Sequence, residues 1–213
     1  MTGVAVEDIG ARLAAGLCRD DDACAALCTH LLRQLADGQP VSRDRLAAAL
    51  GVSRTAVAAT LQQVPNVEVD DRGDIIASGL SLLSTPHQFR VNGHDLYTWC
   101  ALDTLMYPVV LGQSAHVASR CPVSEAWVRL TVTPVRIENL DPSDALVSLV
   151  LPDAVDACCD VRGAFCQHVH FFAGANAGAV WQAAHPKATL LSVEDAYAVA
   201  RLLARTRYRI EKG

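Results

Sequence analysis

The chain has almost no lysine: Lys187 and Lys212 are the two among eighteen basic residues, and the formal net charge is −5. A protein that holds nucleic acid or an anionic membrane electrostatically needs a broad cationic face, so this balance argues against either role for the molecule as a whole. Long apolar runs are missing too. No segment approaches eighteen consecutive apolar residues, and the opening MTGVAVEDIGARLAAG has no basic lead into an apolar stretch, so neither a membrane-spanning helix nor an export signal is expected. The expected setting is the cytoplasm. There the eight cysteines stay reduced and available for chemistry or metal. A glycine-rich strand-to-helix turn is also absent, which removes the doubly wound dinucleotide folds from consideration.

What is present is ordinary globular material, 51% hydrophobic and 19% charged over 213 residues, enough for one domain or two small ones. Two units are expected, residues 1–79 and 80–213. The first reads as helical to about Gly38, with Leu27, Leu31, Leu32 and Leu35 at helical spacing. Ser42 then caps a short helix through Leu50, Gly51 supplies a turn, and Ser53 caps a second helix through Gln62, which is helix-turn-helix spacing. NVEVDDRGDIIA gives two short strands about a turn, completing a winged unit. Its second helix, SRTAVAATLQQ, carries the single cation Arg54. Phosphate contacts need several cations, so a packing role is expected here and nucleic-acid binding is not.

From Leu80 the pattern changes to an α+β unit. Strands are expected at LSLLS and HQFRV with an Asn92-Gly93 turn, then a helix from about Asp95 to Met106 broken by Pro108. Three Val- and Leu-rich strands follow at AHVAS, WVRLTVTP and ALVSLVLP. DAVDACC reads as helical, FCQHVHFF as a strand, NAGAVWQAA as a short helix, and Ser192 with Asp195 as the capping box of a last helix through about Arg207.

Chemistry concentrates in two apolar, aromatic-bearing segments, YTWCALDTL and AFCQHVHFF. Asp103 follows Cys100 by three residues, a helical spacing that puts a soft ligand and a proton carrier on one wall. An acid among apolar neighbours costs several kcal/mol unless paired or protonated. With Phe165 to Phe172 as a strand, Cys166, His168 and His170 share a face. A cysteine in either setting is more commonly a small buried hydrophobe, and a strand histidine one satisfied by a backbone carbonyl. Brought together, the two cysteines and the acid form a dithiol suited to a soft metal ion.

In order and separation, LYTWCALDTL, LVSLVLP and AFCQHVHFF resemble the alkylmercury lyases, and the resemblance runs from LLRQLADGQPVS to SVEDAY, about Leu31 to Tyr197. It implies an N-terminal winged-helix-like region joined to an alkylmercury-lyase-like α+β catalytic domain, and cleavage of a carbon–mercury bond by protonolysis to a hydrocarbon and Hg(II). By motif the family's catalytic cysteines fall on Cys100 and Cys166 and its aspartate on Asp103, with mercury held as substrate and product. Trp99 matches an aromatic beside the first cysteine and Cys121 a structural cysteine. Family members often carry a further cysteine after the last; here that position is Gln167. The resemblance implies no cofactor, small thiols for turnover, and a possible mercuric reductase as Hg(II) acceptor. Cys18, Cys24 and Cys28 are expected to pack in the N-terminal helices, and the vicinal pair Cys158 and Cys159 to adjoin the site only in sequence.

The rival reading is a metal-responsive winged-helix transcription regulator with Cys166, His168 and His170 as the sensor. It calls for a basic recognition helix and a dimerisation helix, and the sequence offers neither. A non-catalytic metal-binding relative would have no use for Asp103.

Overall fold

The computed structural model describes residues 3–17, 21–151 and 160–210. Four helices open the chain: α1 (Gly3–Leu17), α2 (Asp22–Leu35), α3 (Arg43–Leu50) and α4 (Arg54–Leu61). The caps fall where the sequence puts them. Ser42 accepts from the Arg45 N–H and Ser53 from the Ala56 N–H, while Gly51 closes α3 at φ +65, a conformation that glycine adopts without penalty. Arg54 faces Asp44 at 3.4 Å, so the cation of the recognition-like helix has an acidic neighbour.

The wing is β1 (Glu68–Val69) and β2 (Ile75–Ser78). It does not stand apart. β2 pairs with β3 (Leu80–Ser81), and the strands β4 (His87–Val91), β5 (His94–Thr98), β6 (Ala115–Arg120), β7 (Trp127–Val132) and β8 (Ile137–Asp141) complete one eight-stranded antiparallel sheet in the order β1-β2-β3-β5-β4-β6-β7-β8. The Asn92-Gly93 turn joins β4 to β5 with φ of +54 and +80, the two positive values that the twist of a tight hairpin requires. Strand β8 was not among the expected strands; none of its residues is fully buried, so it carries little hydrophobic pattern.

Alternation decides which face of the sheet is covered. His87, Phe89 and Val91 of β4 and Ala115, Val117 and Ser119 of β6 point inward, and the helix α5 (Ala101–Leu111) packs on that face. α5 is apolar nearly all round because it lies between the sheet and the last helix, α8 (Val193–Tyr208). Burying a side chain such as Leu105 there contributes about 2 kcal/mol. A second antiparallel sheet, β10-β9-β11, is built from β9 (Leu146–Leu149), β10 (Phe171–Phe172) and β11 (Thr189–Ser192), with α6 (Val161–Ala164) before β10 and α7 (Ala175–Ala184) after it.

Two expected elements differ. The helix expected from Asp95 begins only at Ala101, because residues 94–98 give their backbone groups to β4. Nor does Pro108 break it. The helix loses one donor there and continues to Leu111, where Gly112 at φ +68 closes it with a bond to the Pro108 carbonyl. The second difference concerns FCQHVHFF. Cys166–His168 is a single 3₁₀ turn, made by His168 N–H to the Phe165 carbonyl at 3.0 Å and Val169 N–H to the Cys166 carbonyl at 3.1 Å, and only Phe171 and Phe172 are strand. Local i to i+3 bonds took the donors that a strand would have offered a neighbour. Cys166, His168 and His170 therefore do not share a strand face. The helix expected at DAVDACC lies outside the described residues.

Candidate active site

Cys100 is the N-cap of α5, in extended conformation (φ −149, ψ 170), and Asp103 sits in that helix's first turn. The thiol and the carboxyl thus occupy the two positions that a Ser and a Glu fill in a capping box. The Thr98 hydroxyl donates to the Cys100 carbonyl at 2.9 Å, and the Ala101 N–H donates to the Val169 carbonyl at 3.1 Å. That second bond gives one unpaired donor of the helix start a partner and fastens the Cys166 turn against it. Strand β9 holds the turn from behind: Ser148 Oγ donates to the His168 carbonyl at 2.8 Å and accepts from the His170 N–H at 3.0 Å.

The result is a buried trio. One ligand atom each of Cys100, Asp103 and Cys166 lies within 4.8 Å of the others, and among the described residues this is the one cluster of three such groups. A Cys-His-His centre is not formed. His170 stacks instead on His87, ring centroids 6.2 Å apart, and His168 lies against His185.

Burial dominates the electrostatics. It pushes the Cys100 thiol well above the usual range, with the hydrogen bond to Cys166 and the nearby Asp103 charge acting in the same direction. Burial likewise pushes Asp103 up to about 6, opposed by the Cys100 thiol, the Arg207 charge and the Tyr107 hydroxyl. Asp103 Oδ2 is buried without a hydrogen-bond partner. An orphaned carboxylate oxygen in an apolar site is costly, and proton or metal binding is what relieves it. The positive end of α5 favours the anionic form at both positions, in opposition to the burial that raises them.

Asp103 and Cys166 open on a cavity of about 20 Å³ lined also by Leu17, Leu102, Met106, Val161, Phe165, Leu203 and Arg207. That is room for about one water molecule. Trp99 is half-buried with Arg162 over its ring at 5.3 Å, and it is not among the residues lining this cavity. Cys121 is buried and its sulfur accepts from the Ser124 N–H at 3.5 Å, a turn-closing contact. Cys28 is buried and Cys24 half-buried on α2, while Cys18, Cys158 and Cys159 lie outside the described residues. Sequence reasoning did not single out Tyr107 or Arg207. The available signal for Tyr107 was its position four residues after Asp103, one turn along the same helix face.

Two thiols and an acid, buried beside a helix start on an α+β scaffold, form a ligand set whose chemistry suits a soft metal ion and proton transfer. Comparison with known proteins makes this specific. The sequence profile of the family described as alkylmercury lyase matches residues 80–205, and that of the helix-turn-helix domain of alkylmercury lyase matches residues 8–79. An alkylmercury lyase of Pseudomonas putida is 46% identical over 180 residues, covering 84% of each chain. One of Streptomyces lividans is 47% identical over 173 residues, covering 81% of this chain and 79% of its own. The fold is similar to that in a crystal structure of the mercury-bound form of MerB2, with TM-score 0.76 and 22% identity over 95% of this chain and 98% of that one. The chain belongs to the alkylmercury lyase family. It is an enzyme, a lyase with an organomercurial substrate, and the regulator reading is not favoured.

Proposed function

We propose that Cys100, Cys166 and Asp103 carry out the protonolysis, with the two thiols holding mercury and the carboxyl supplying the proton to carbon. The observation that carries this reading is the convergence of the three buried ligand atoms within 4.8 Å. At neutral pH the raised Cys100 thiol keeps its proton while Asp103, at about 6, is mostly ionised. An incoming R–Hg–X exchanges X for the two cysteine sulfurs. One thiol proton leaves with X, and the other passes to Asp103. The two sulfurs raise electron density on mercury and weaken its bond to carbon. The proton on Asp103 then goes to carbon, which takes the electron pair of the broken bond and departs as RH. Asp103, ionised again, then becomes a third, oxygen ligand to Hg(II).

The scheme uses no organic cofactor. Small thiols remove the Hg(II) and restore the cysteines, and a mercuric reductase is a suitable acceptor after them. Among the described residues no helix is long and apolar enough to cross a membrane, and the setting we propose is the cytoplasm. The test is to incubate the purified protein with phenylmercury and excess thiol and to measure benzene. Benzene well above a heat-killed control is expected; none above it removes the reading.

A further inference from the structure

We propose that Arg207 is the counter-charge of the mercury-loaded site, a positioning residue that acts on the reaction without touching mercury. The inference rests on the reading that Cys100 and Cys166 hold the metal. Two thiolates and a protonated Asp103 around R–Hg⁺ leave one net negative charge, and two thiolates with a carboxylate around Hg²⁺ leave the same. A net charge in an apolar, buried site costs several kcal/mol unless something opposes it.

The cavity shared by Asp103 and Cys166 is otherwise walled by aliphatic and aromatic side chains, and Arg207 is the cation on its lining. Leu203 and Arg207 are one turn apart on α8, so both face α5 across the interface between the two helices. The guanidinium lies over the Tyr208 ring at 5.8 Å, and Tyr208 in turn meets the Tyr107 ring edge-on at 6.5 Å. This stack fixes the approach of a long, otherwise rotamer-rich side chain. A guanidinium carries only donors and stays protonated, so it does not compete as a ligand. Its charge already draws Asp103 down against burial. When the proton leaves Asp103 for carbon, a carboxylate appears in the cavity, and Arg207 is the group positioned to stabilise it.

The experiment compares Arg207→Gln and Arg207→Lys in the full chain. Hg(II) is titrated in against a competing dithiol, and benzene formation from phenylmercury is followed in a single turnover. Removal of a supporting group near a metal site typically costs about 10–100-fold in affinity or rate, and a loss of that order is expected in both readouts for Arg207→Gln. Arg207→Lys, which keeps the charge, should recover most of it. Arg205→Gln, on the same helix but lining a different surface depression with Val6 and Glu7, should match the parent. If Arg207→Gln does not fold, Arg207→Leu, which keeps apolar bulk and offers mercury no ligand, takes its place in the comparison. Parent-like behaviour of the neutral variant within about two-fold, or equal damage from the lysine variant, overturns the inference. Absence of benzene from the parent itself would instead strike the proposed function.

Discussion

Asp103 is a carboxyl kept where a carboxylate is costly. Its ordinary value is 3.8, and burial holds it near 6 in the native chain. Between about pH 4 and 6 the native state therefore binds a proton that the unfolded chain has released, so stability falls as pH rises through that window. Above it the loss is about 2–3 kcal/mol. His87 runs the other way. Burial, with help from His170, holds it near 3 against 6.5, so between about pH 3 and 6.5 the unfolded state binds the extra proton and stability rises with pH. The two slopes oppose each other over most of the range. Asp103→Asn should remove one of them: chemical denaturation at pH 4 should find the variant close to the parent, and at pH 8 more stable. The same variant should still capture R–Hg⁺ on its thiols and fail to release RH, leaving an adduct with an intact carbon–mercury bond visible by intact-protein mass spectrometry. General acid contributions of about 10²–10⁴-fold set the scale of the expected loss. Undiminished benzene release would assign the proton to solvent or thiol. Cys100→Ser and Cys166→Ser should each abolish turnover, since a hydroxyl is a hard, poor ligand for mercury, whereas Cys121→Ser should lower the melting temperature and spare the rate.

At the scale of elements, what was legible in the sequence was what carries its own local chemistry. Ser42, Ser53 and Ser192 each cap a helix as their positions suggest; the Ser192 hydroxyl accepts from the Asp195 N–H at 3.0 Å. The β4–β5 turn is equally local. What was not legible depends on partners distant in the chain. Residues 94–98 are strand because β4 is beside them, and the Cys166 turn is not strand because its donors close on themselves. The Cys100 to Asp103 spacing could be read directly, but the approach of Cys166 required a family motif, since nothing in either segment encodes the Ala101 to Val169 bond. Arg207 left no local trace. Its role comes from the packing of α8 on α5. One close contact ties α5 to the sheet: at Gly79, φ +84, an added Cβ would overlap the Tyr107 hydroxyl. Gly79→Ala combines a strained backbone with overpacking and should cost roughly 2–4 kcal/mol by denaturant titration. Because Tyr107 lies one turn beyond Asp103, it should slow cleavage as well. A variant as stable and active as the parent would show that α5 yields freely.

For the molecule as a whole, the winged unit and the α+β unit meet within one sheet, through the β2 pairing of Ala77 with Ser81 and Ser78 with Leu80. The helices follow suit, with α1 along α8 and Leu17 reaching the cavity wall. The winged unit here extends the sheet, and its first helix contributes Leu17 to the cavity wall. Cutting the chain after residue 79 would therefore do more than remove a neighbour. It would strip the partner from β3 and leave the backbone groups of Leu80 and Ser81 unpaired on that side, with Leu80 fully buried in the intact chain. Such an edge recruits any other strand it meets, so a fragment of residues 80–213 should precipitate or form concentration-dependent oligomers in light scattering. On that expectation the wing also keeps β3 from pairing with a second chain.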